Sequence, residues 1–66
     1  MAGIARNIEI FNQAFRLAWP YLTDEETKRP NASRLLSEAI QRRLKLGMTD
    51  PVQIAAEAVV DARRRA

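Results

Sequence analysis

Apolar residues recur along this chain at the three- and four-residue spacing of amphipathic helices. The pattern predicts three main helices, over about residues 4–22, 31–46 and 50–63. It favours an all-α fold, a small three-helix bundle, in a single helical domain that spans residues 1–66. The bundle is also expected to self-associate, because its helices carry more apolar surface than they can cover among themselves.

Residues at the helix ends carry the expected capping chemistry. Asn31 and Ser33 are both suitable N-caps for the second main helix. Gly47 follows that helix at the position where a left-handed C-terminal cap is favoured. Asp50 is the expected N-cap of the third helix, and Gln53 three residues later would complete a capping box. The turn between these two helices is therefore predicted to be a tight helical hairpin.

Proline at position 20 interrupts the first helix, because it removes a backbone hydrogen bond and clashes with the preceding turn. We expect the helix either to end near Ala18 or to kink there. Thr23 and Glu26 have the spacing of a capping box. This pair predicts a short extra helical turn over residues 24–28, between the first and second main helices.

The first helix carries an unusually wide apolar arc. One stripe consists of Ile4, Ile8, Phe11, Phe15, Ala18, Trp19 and Leu22. A second stripe, offset from the first by a third of a turn or more, consists of Ile10, Ala14, Leu17 and Tyr21. Together they span about 200°, whereas a surface helix normally shows an arc somewhat over 100°. We take the second stripe as the candidate self-association surface.

The third helix is apolar on nearly all sides. Its polar residues Gln53, Glu57 and Asp61 form one narrow strip. Such a helix is either the central helix of its bundle or part of an interface. Chains this short usually need an additional source of stability, such as a disulfide, a bound metal or self-association. The absence of cysteine excludes a disulfide. We therefore expect a homodimer; the alternative is that Trp19 and Tyr21 fold back over the apolar gap.

Positive charge is concentrated in and just before the second main helix. Eleven lysines and arginines against eight acidic residues give a mildly basic net charge of +3. The candidate polyanion-binding residues are Lys28, Arg29, Arg34, Arg42 and Lys45. They would suit backbone phosphates, but a solvated basic face is equally consistent with the pattern. In the helix after the hairpin turn, Gln53 is the only side chain near the start that is suited to hydrogen-bond a base edge. The helix therefore does not resemble a DNA-recognition helix.

Arg43 lies in the middle of the apolar side of the second main helix. Burying an unpaired guanidinium is costly, so the side chain must extend to water or pair with a carboxylate. Asp50, Glu57 and Asp61 are the candidate partners inside the chain. The alternative interpretation is a contact with another molecule.

The composition lacks two of the residue types that are most often used in catalysis. Cysteine and histidine are absent, which removes thiol nucleophiles, the commonest general base and the commonest transition-metal ligands. We expect no enzyme activity, no cofactor and no metal site. Neither a signal peptide nor a membrane span is recognisable, so we expect a full-length cytoplasmic protein without membrane contact.

The expected function is that of a small, non-enzymatic protein–protein interaction module, with a second copy and a further, unidentified protein as partners. The alternative is a nucleic-acid-binding or regulatory protein that uses the basic stripe of the second main helix. The chain resembles many short helical proteins of bacteria, a resemblance of type that names no family. The two functions differ in salt dependence, because phosphate binding weakens as salt rises whereas an apolar interface holds.

Overall fold

The computed structural model describes residues 2–65, with the side-chain surroundings of residues 6–65. Four α-helices account for most of this range, and a 3-10 turn follows the first of them. In chain order they are α1 (Ala2–Ala18), the 3-10 turn (Trp19–Tyr21), α2 (Asp24–Lys28), α3 (Ala32–Lys45) and α4 (Pro51–Arg65). The prediction of an all-α bundle with three main helices and a short extra helical turn is confirmed.

Pro20 ends the first helix. The α-helix stops at Ala18, and the 3-10 turn that follows is closed by the Leu22 amide, which donates to the Trp19 carbonyl at 3.1 Å. Leu22 then has extended backbone, with φ −77° and ψ 143°. Of the two outcomes expected at this proline, a kink or an end, the structure shows the end. The physical reason is that proline lacks the amide that a continuing α-helix would need.

α2 begins with the capping box that the sequence predicts. The Glu26 amide donates to the Thr23 hydroxyl oxygen at 3.1 Å, and the Thr23 amide donates to the Glu26 carboxylate at 2.9 Å. Acidic residues fill the first turn, where they suit the positive end of the helix dipole. A helix of only five residues can form here because the reciprocal contacts satisfy two amides at its start.

A left-handed cap at Gly47 ends α3, as predicted, and its hydrogen bonds are those of a Schellman motif. The Gly47 amide donates to the Leu44 carbonyl at 3.0 Å, and the Met48 amide donates to the Arg43 carbonyl at 3.2 Å. Gly47 has a φ of +89°, a conformation that glycine adopts without the steric cost of a Cβ. The chain therefore reverses within a few residues and enters α4.

The N-caps of α3 and α4 differ in their contacts. Asn31 is the N-cap of α3, but its side chain makes no capping hydrogen bond. Asp50 precedes α4, and its carboxylate accepts a hydrogen bond from the Val52 amide at 3.0 Å. The reciprocal contact from Gln53 is missing from the hydrogen bonds of the described residues, so this cap is one-sided.

The three long helices pack against one another, and α4 has the most extensive contacts with the other two, α1 and α3. The shared core consists of Ile10, Ala14, Ala18, Leu36, Ala39, Ile40, Ile54, Ala55, Ala58, Val59 and Ala62. Its alanines allow the helix axes to approach closely. α3 and α4 run antiparallel, because Ala32 and Leu35 near the start of α3 line the same small cavity as Ala62 and Arg63 near the end of α4.

The structure divides the second apolar stripe of α1. Ile10 is 7% exposed and Ala14 is fully buried, and both belong to the core. Neither side chain can contact a second copy unless the bundle opens, so their assignment to a self-association surface is corrected. The reason is that α1 turns this side toward the other long helices. Only Leu17 and Tyr21 of the stripe are exposed.

The aromatic stripe of α1 is only partly buried. Phe11 stacks on Phe15 with ring centroids 6.2 Å apart, and Phe15 stacks on Trp19 with centroids 5.4 Å apart. These rings pack against the side of the core. Ile8 on the same stripe is exposed, and the side chain of Ile4 lies outside the described residues. The buried side chains of α1 are therefore Ile10, Ala14 and Ala18, and the larger aromatic rings lie at the edge of the core.

Candidate interaction surface

Exposed apolar side chains gather on the surface between α1 and α4. The large apolar residues exposed among residues 6–65 are Ile8, Leu17, Tyr21, Leu46, Val52 and Val60. Four of these six line one groove of about 380 Å³, in which Leu17 and Tyr21 stand opposite Val52 and Val60. We call the surface formed by Leu17, Tyr21, Val52, Ala56 and Val60 the α1/α4 face.

The α4 side of this face is a ridge. Val52, Ala56 and Val60 are spaced four residues apart, so they lie in one row along the helix. All three are exposed, Val52 to 64% and Val60 to 50%. The opposite wall is formed by Leu17, near the end of α1, and by Tyr21, which is 72% exposed. The sequence predicts a helix here that is either central or part of an interface, but it does not single out Val52, Ala56 and Val60.

The charged residue that lines the groove, Arg63, is held by partners inside the chain. Its Nε donates to Glu26 Oε2 at 2.8 Å and its Nη2 donates to Glu26 Oε1 at 3.1 Å. The same Nη2 donates to the Tyr21 carbonyl oxygen at 3.0 Å. Arg63 therefore connects α4 to α2 and to the residue that forms the outer wall of the groove, while its charge is balanced.

This ion pair changes the titration of both partners. The hydrogen bond from Arg63, followed by the one from the Thr23 backbone, lowers the pKa of Glu26 from 4.5 to about 2. The hydrogen bond to Glu26 raises the pKa of Arg63 above its ordinary value. Both groups are thus charged throughout the neutral range. The sequence alone does not indicate this pair, because its two members lie 37 residues apart.

Arg43 forms an ion pair inside the chain, which is one of the outcomes expected for this side chain. Its Nη1 donates to Asp61 Oδ2 at 2.9 Å and to the Ala39 carbonyl oxygen at 3.4 Å. Its Nε lies 3.9 Å from Glu57 Oε1, too far for a hydrogen bond, and is buried without a hydrogen-bond partner among the described residues. Two of the three predicted partners, Glu57 and Asp61, therefore surround this guanidinium.

Asp61 is the centre of a larger cluster. Arg42 donates to its Oδ2 from Nε at 3.3 Å and from Nη2 at 3.2 Å, and Arg65 donates from Nε to its Oδ1 at 2.9 Å. Burial raises the pKa of Asp61, but the hydrogen bonds from Arg65 and Arg42 and the charge of Arg43 outweigh it, so the pKa lies below its usual value. The cluster joins α3 to α4.

The predicted polyanion-binding residues do not form one patch. Arg42 is engaged by Asp61, and Arg34 lies 3.9 Å from Glu38 with both side chains well exposed. Lys28 and Arg29 precede α3, whereas Lys45 is its last residue. All three are exposed, but the 14 residues of α3 extend for about 21 Å. The basic residues are thus spread along the helix rather than gathered at one site.

Neither a metal-binding group of side chains nor a membrane-spanning helix is found in the part of the chain that the structure describes. No group of three or more acidic residues there could hold a metal ion. No helix there is long and apolar enough to cross a membrane. Comparisons with protein-family models, with curated proteins and with solved structures found no match to this chain.

Proposed function

We propose that this protein is a small, non-enzymatic interaction module whose α1/α4 face binds a second copy of the same chain. The observation that carries the proposal is the gathering of four of the six large exposed apolar side chains on that one face. Contiguous exposed apolar surface of this kind is characteristic of protein–protein contacts. Scattered single apolar residues would need no such explanation.

The charges of the chain allow a second copy to bind at this face. Each chain carries a net charge of +3, so two copies repel each other where their basic surfaces meet. The α1/α4 face is lined by apolar residues and by Arg63, whose charge Glu26 balances. Two copies can therefore meet through this face without bringing unbalanced positive charges together.

A dimer would use most of one side of the molecule. A standard stable interface covers roughly 800 Å² per partner, and the long side of the molecule measures 38 by 19 Å, so the α1/α4 face would form the central part of such a contact. The core of one copy is small, because among residues 6–65 only Leu36, Ile40 and Ile54 are large side chains that are completely buried. Burying the α1/α4 face would add apolar area to a chain whose own core contributes little.

The proposal is tested by the solution mass, measured by light scattering over a concentration series in low and high salt. We expect a dimer that persists or tightens in high salt, because apolar burial is strengthened by excluded salts. A monomer at every concentration in both salts would overturn the proposal. Dissociation as salt rises would point instead to an association driven by charge.

The alternative function, binding of nucleic acid through the basic stripe of α3, has less support. Its central residue, Arg42, donates two hydrogen bonds to Asp61, and a phosphate would have to compete with that carboxylate. The remaining basic residues lie at separate positions before and along α3. A filter-binding titration with duplex DNA at low salt tests this function independently of the solution mass.

A further inference from the structure

We infer that two copies pair through α4 as a symmetric dimer, with a two-fold axis passing beside Ala56 and the two α4 helices antiparallel. This inference rests on the proposed function and adds to it the arrangement of the two copies. In a two-fold interface the same patch serves both partners, so each contact occurs twice. Ala56 would face Ala56 of the second copy, and Val52 would face Val60.

The spacing of the ridge supports an axis at Ala56. Ala56 stands midway between Val52 and Val60, four residues from each. A two-fold rotation about the midpoint exchanges the two valines, so the row of three residues is complementary to itself. Residues four apart also form the ridges that most helix pairs in globular proteins use for packing.

The sizes of these side chains support the same axis. Alanine at the crossing point lets two helix axes approach to about 8 Å, the lower end of the usual range. The groove beside the ridge is bounded by Leu17 and Tyr21. At that distance the ridge of each copy can enter the groove of the other, so the exposed valines and the two walls are covered together.

An axis one turn away in either direction fits less well. An axis at Val60 would set Arg64 of each copy against Ala56 of the other and bring a charge into the apolar row. An axis at Val52 would lie at the second residue of α4 (Pro51–Arg65) and leave most of both helices unpaired. Ala56 is the position of the row that avoids both a charged contact and a loss of paired length.

The test introduces single cysteines. No other thiol can form a disulfide, because the chain contains no cysteine. With axes about 8 Å apart and Cα atoms about 2.3 Å from each axis, Cα atoms directly on the line between the helices would be about 3.4 Å apart, and Ala56, which lies beside the two-fold axis, is expected at a somewhat larger separation. Disulfides form across about 4.4–6.8 Å. We expect the Ala56→Cys chain to be linked as a dimer by mild oxidation, and the Ser33→Cys control, an exposed site on α3, to stay largely unlinked.

A second experiment distinguishes antiparallel from parallel helices. In the inferred dimer, two copies of position 52 lie about 12 Å apart along the helix, beyond disulfide reach. The Val52→Cys and Val60→Cys chains should therefore each stay unlinked alone and become linked when mixed. Linkage of the Val52→Cys chain to itself would overturn the antiparallel arrangement.

The outcomes also separate this inference from the proposed function. If light scattering of each unoxidised cysteine variant finds a dimer but Ala56→Cys does not link, the axis is wrong and self-association stands. If the same measurement finds only monomer, the proposed function fails, and the inferred arrangement fails with it. Efficient linkage of Ser33→Cys would place the contact on a different surface and overturn the inference.

Discussion

Arg63 binds Glu26 through two hydrogen bonds, of 2.8 and 3.1 Å, and thereby ties the last turns of α4 to α2. The same guanidinium donates to the carbonyl oxygen of Tyr21, so it also positions one wall of the α1/α4 face. A contact between residues 37 positions apart thus holds the segment that follows Pro20 against the bundle. The stability of this end of the molecule should depend on the charge of Glu26.

The first prediction concerns acid. The pKa of Glu26 is about 2 in the folded protein and 4.5 ordinarily, so the folded state favours the charged carboxylate. Its contribution to stability is fully present above pH 4.5 and is lost as the pH falls from 4.5 toward 2. Glu26→Gln removes the charge and can retain the capping contact, because glutamine also serves at that position.

Thermal unfolding of both chains between pH 2 and pH 7 checks this prediction. We expect the wild-type protein to be more stable than the Glu26→Gln variant at neutral pH, and the difference to shrink steadily in acid. A difference that stays the same at the two ends of the range would show that the charge of Glu26 contributes nothing to folding.

The second prediction concerns Asp61, which accepts hydrogen bonds from three arginines. Asp61→Asn leaves the half-buried Arg43 without its carboxylate, and we expect a loss of about 2 kcal/mol in the free energy of unfolding. Glu38→Gln is the matched control, because its pair with Arg34 spans 3.9 Å on the surface and should contribute less than about 0.5 kcal/mol. Urea denaturation measures both, and equal effects would contradict the central role of Asp61.

The third prediction concerns the turn between α3 and α4. Gly47 has a φ of +89° and open space around its missing Cβ, so an added methyl group meets no neighbour. Gly47→Ala should therefore cost only the backbone strain, about 1 kcal/mol. The midpoint of urea unfolding should fall without a change in helical content. An unchanged midpoint would mean that the turn relaxes to a different conformation.

The fourth prediction separates the basic residues from the proposed interface. Arg34→Glu combined with Lys45→Glu reverses two exposed charges on α3, away from the α1/α4 face. We expect the solution mass to stay that of the wild-type protein, because neither residue lines the groove. Dissociation of this double variant would show that α3 belongs to the contact between copies.

Helix boundaries were predictable from the sequence because the signals that set them are local. Gly47, Asp50 and the Thr23–Glu26 box each act within a few residues, and the structure shows all three at the predicted ends. The end of α1 was left open between two outcomes, because a proline permits both.

The buried side of α1 was not predictable in the same way. Periodicity shows two apolar stripes, but which stripe faces the core depends on how the three helices pack. Ile10 and Ala14 are buried because their side of α1 meets the core helices, and the larger rings of Phe11 and Phe15 are left at the edge. For Arg43 the sequence indicated three candidate partners, Asp61 among them, but it could not choose between them, because the packing of α3 on α4 brings together residues that are 18 positions apart.

The most direct test of the account compares the solution masses of two matched variants. Val60→Glu and Ile8→Glu each place a carboxylate on a residue of similar exposure, 50% and 56%, but only Val60 belongs to the α1/α4 face. A buried, unpaired carboxylate costs several kcal/mol, so Val60→Glu should raise the dissociation constant of the dimer about a hundredfold or more. Ile8→Glu should leave it unchanged, with both variants equally helical. A dimer that survives Val60→Glu, or one that dissociates with Ile8→Glu instead, would contradict the assignment of the α1/α4 face.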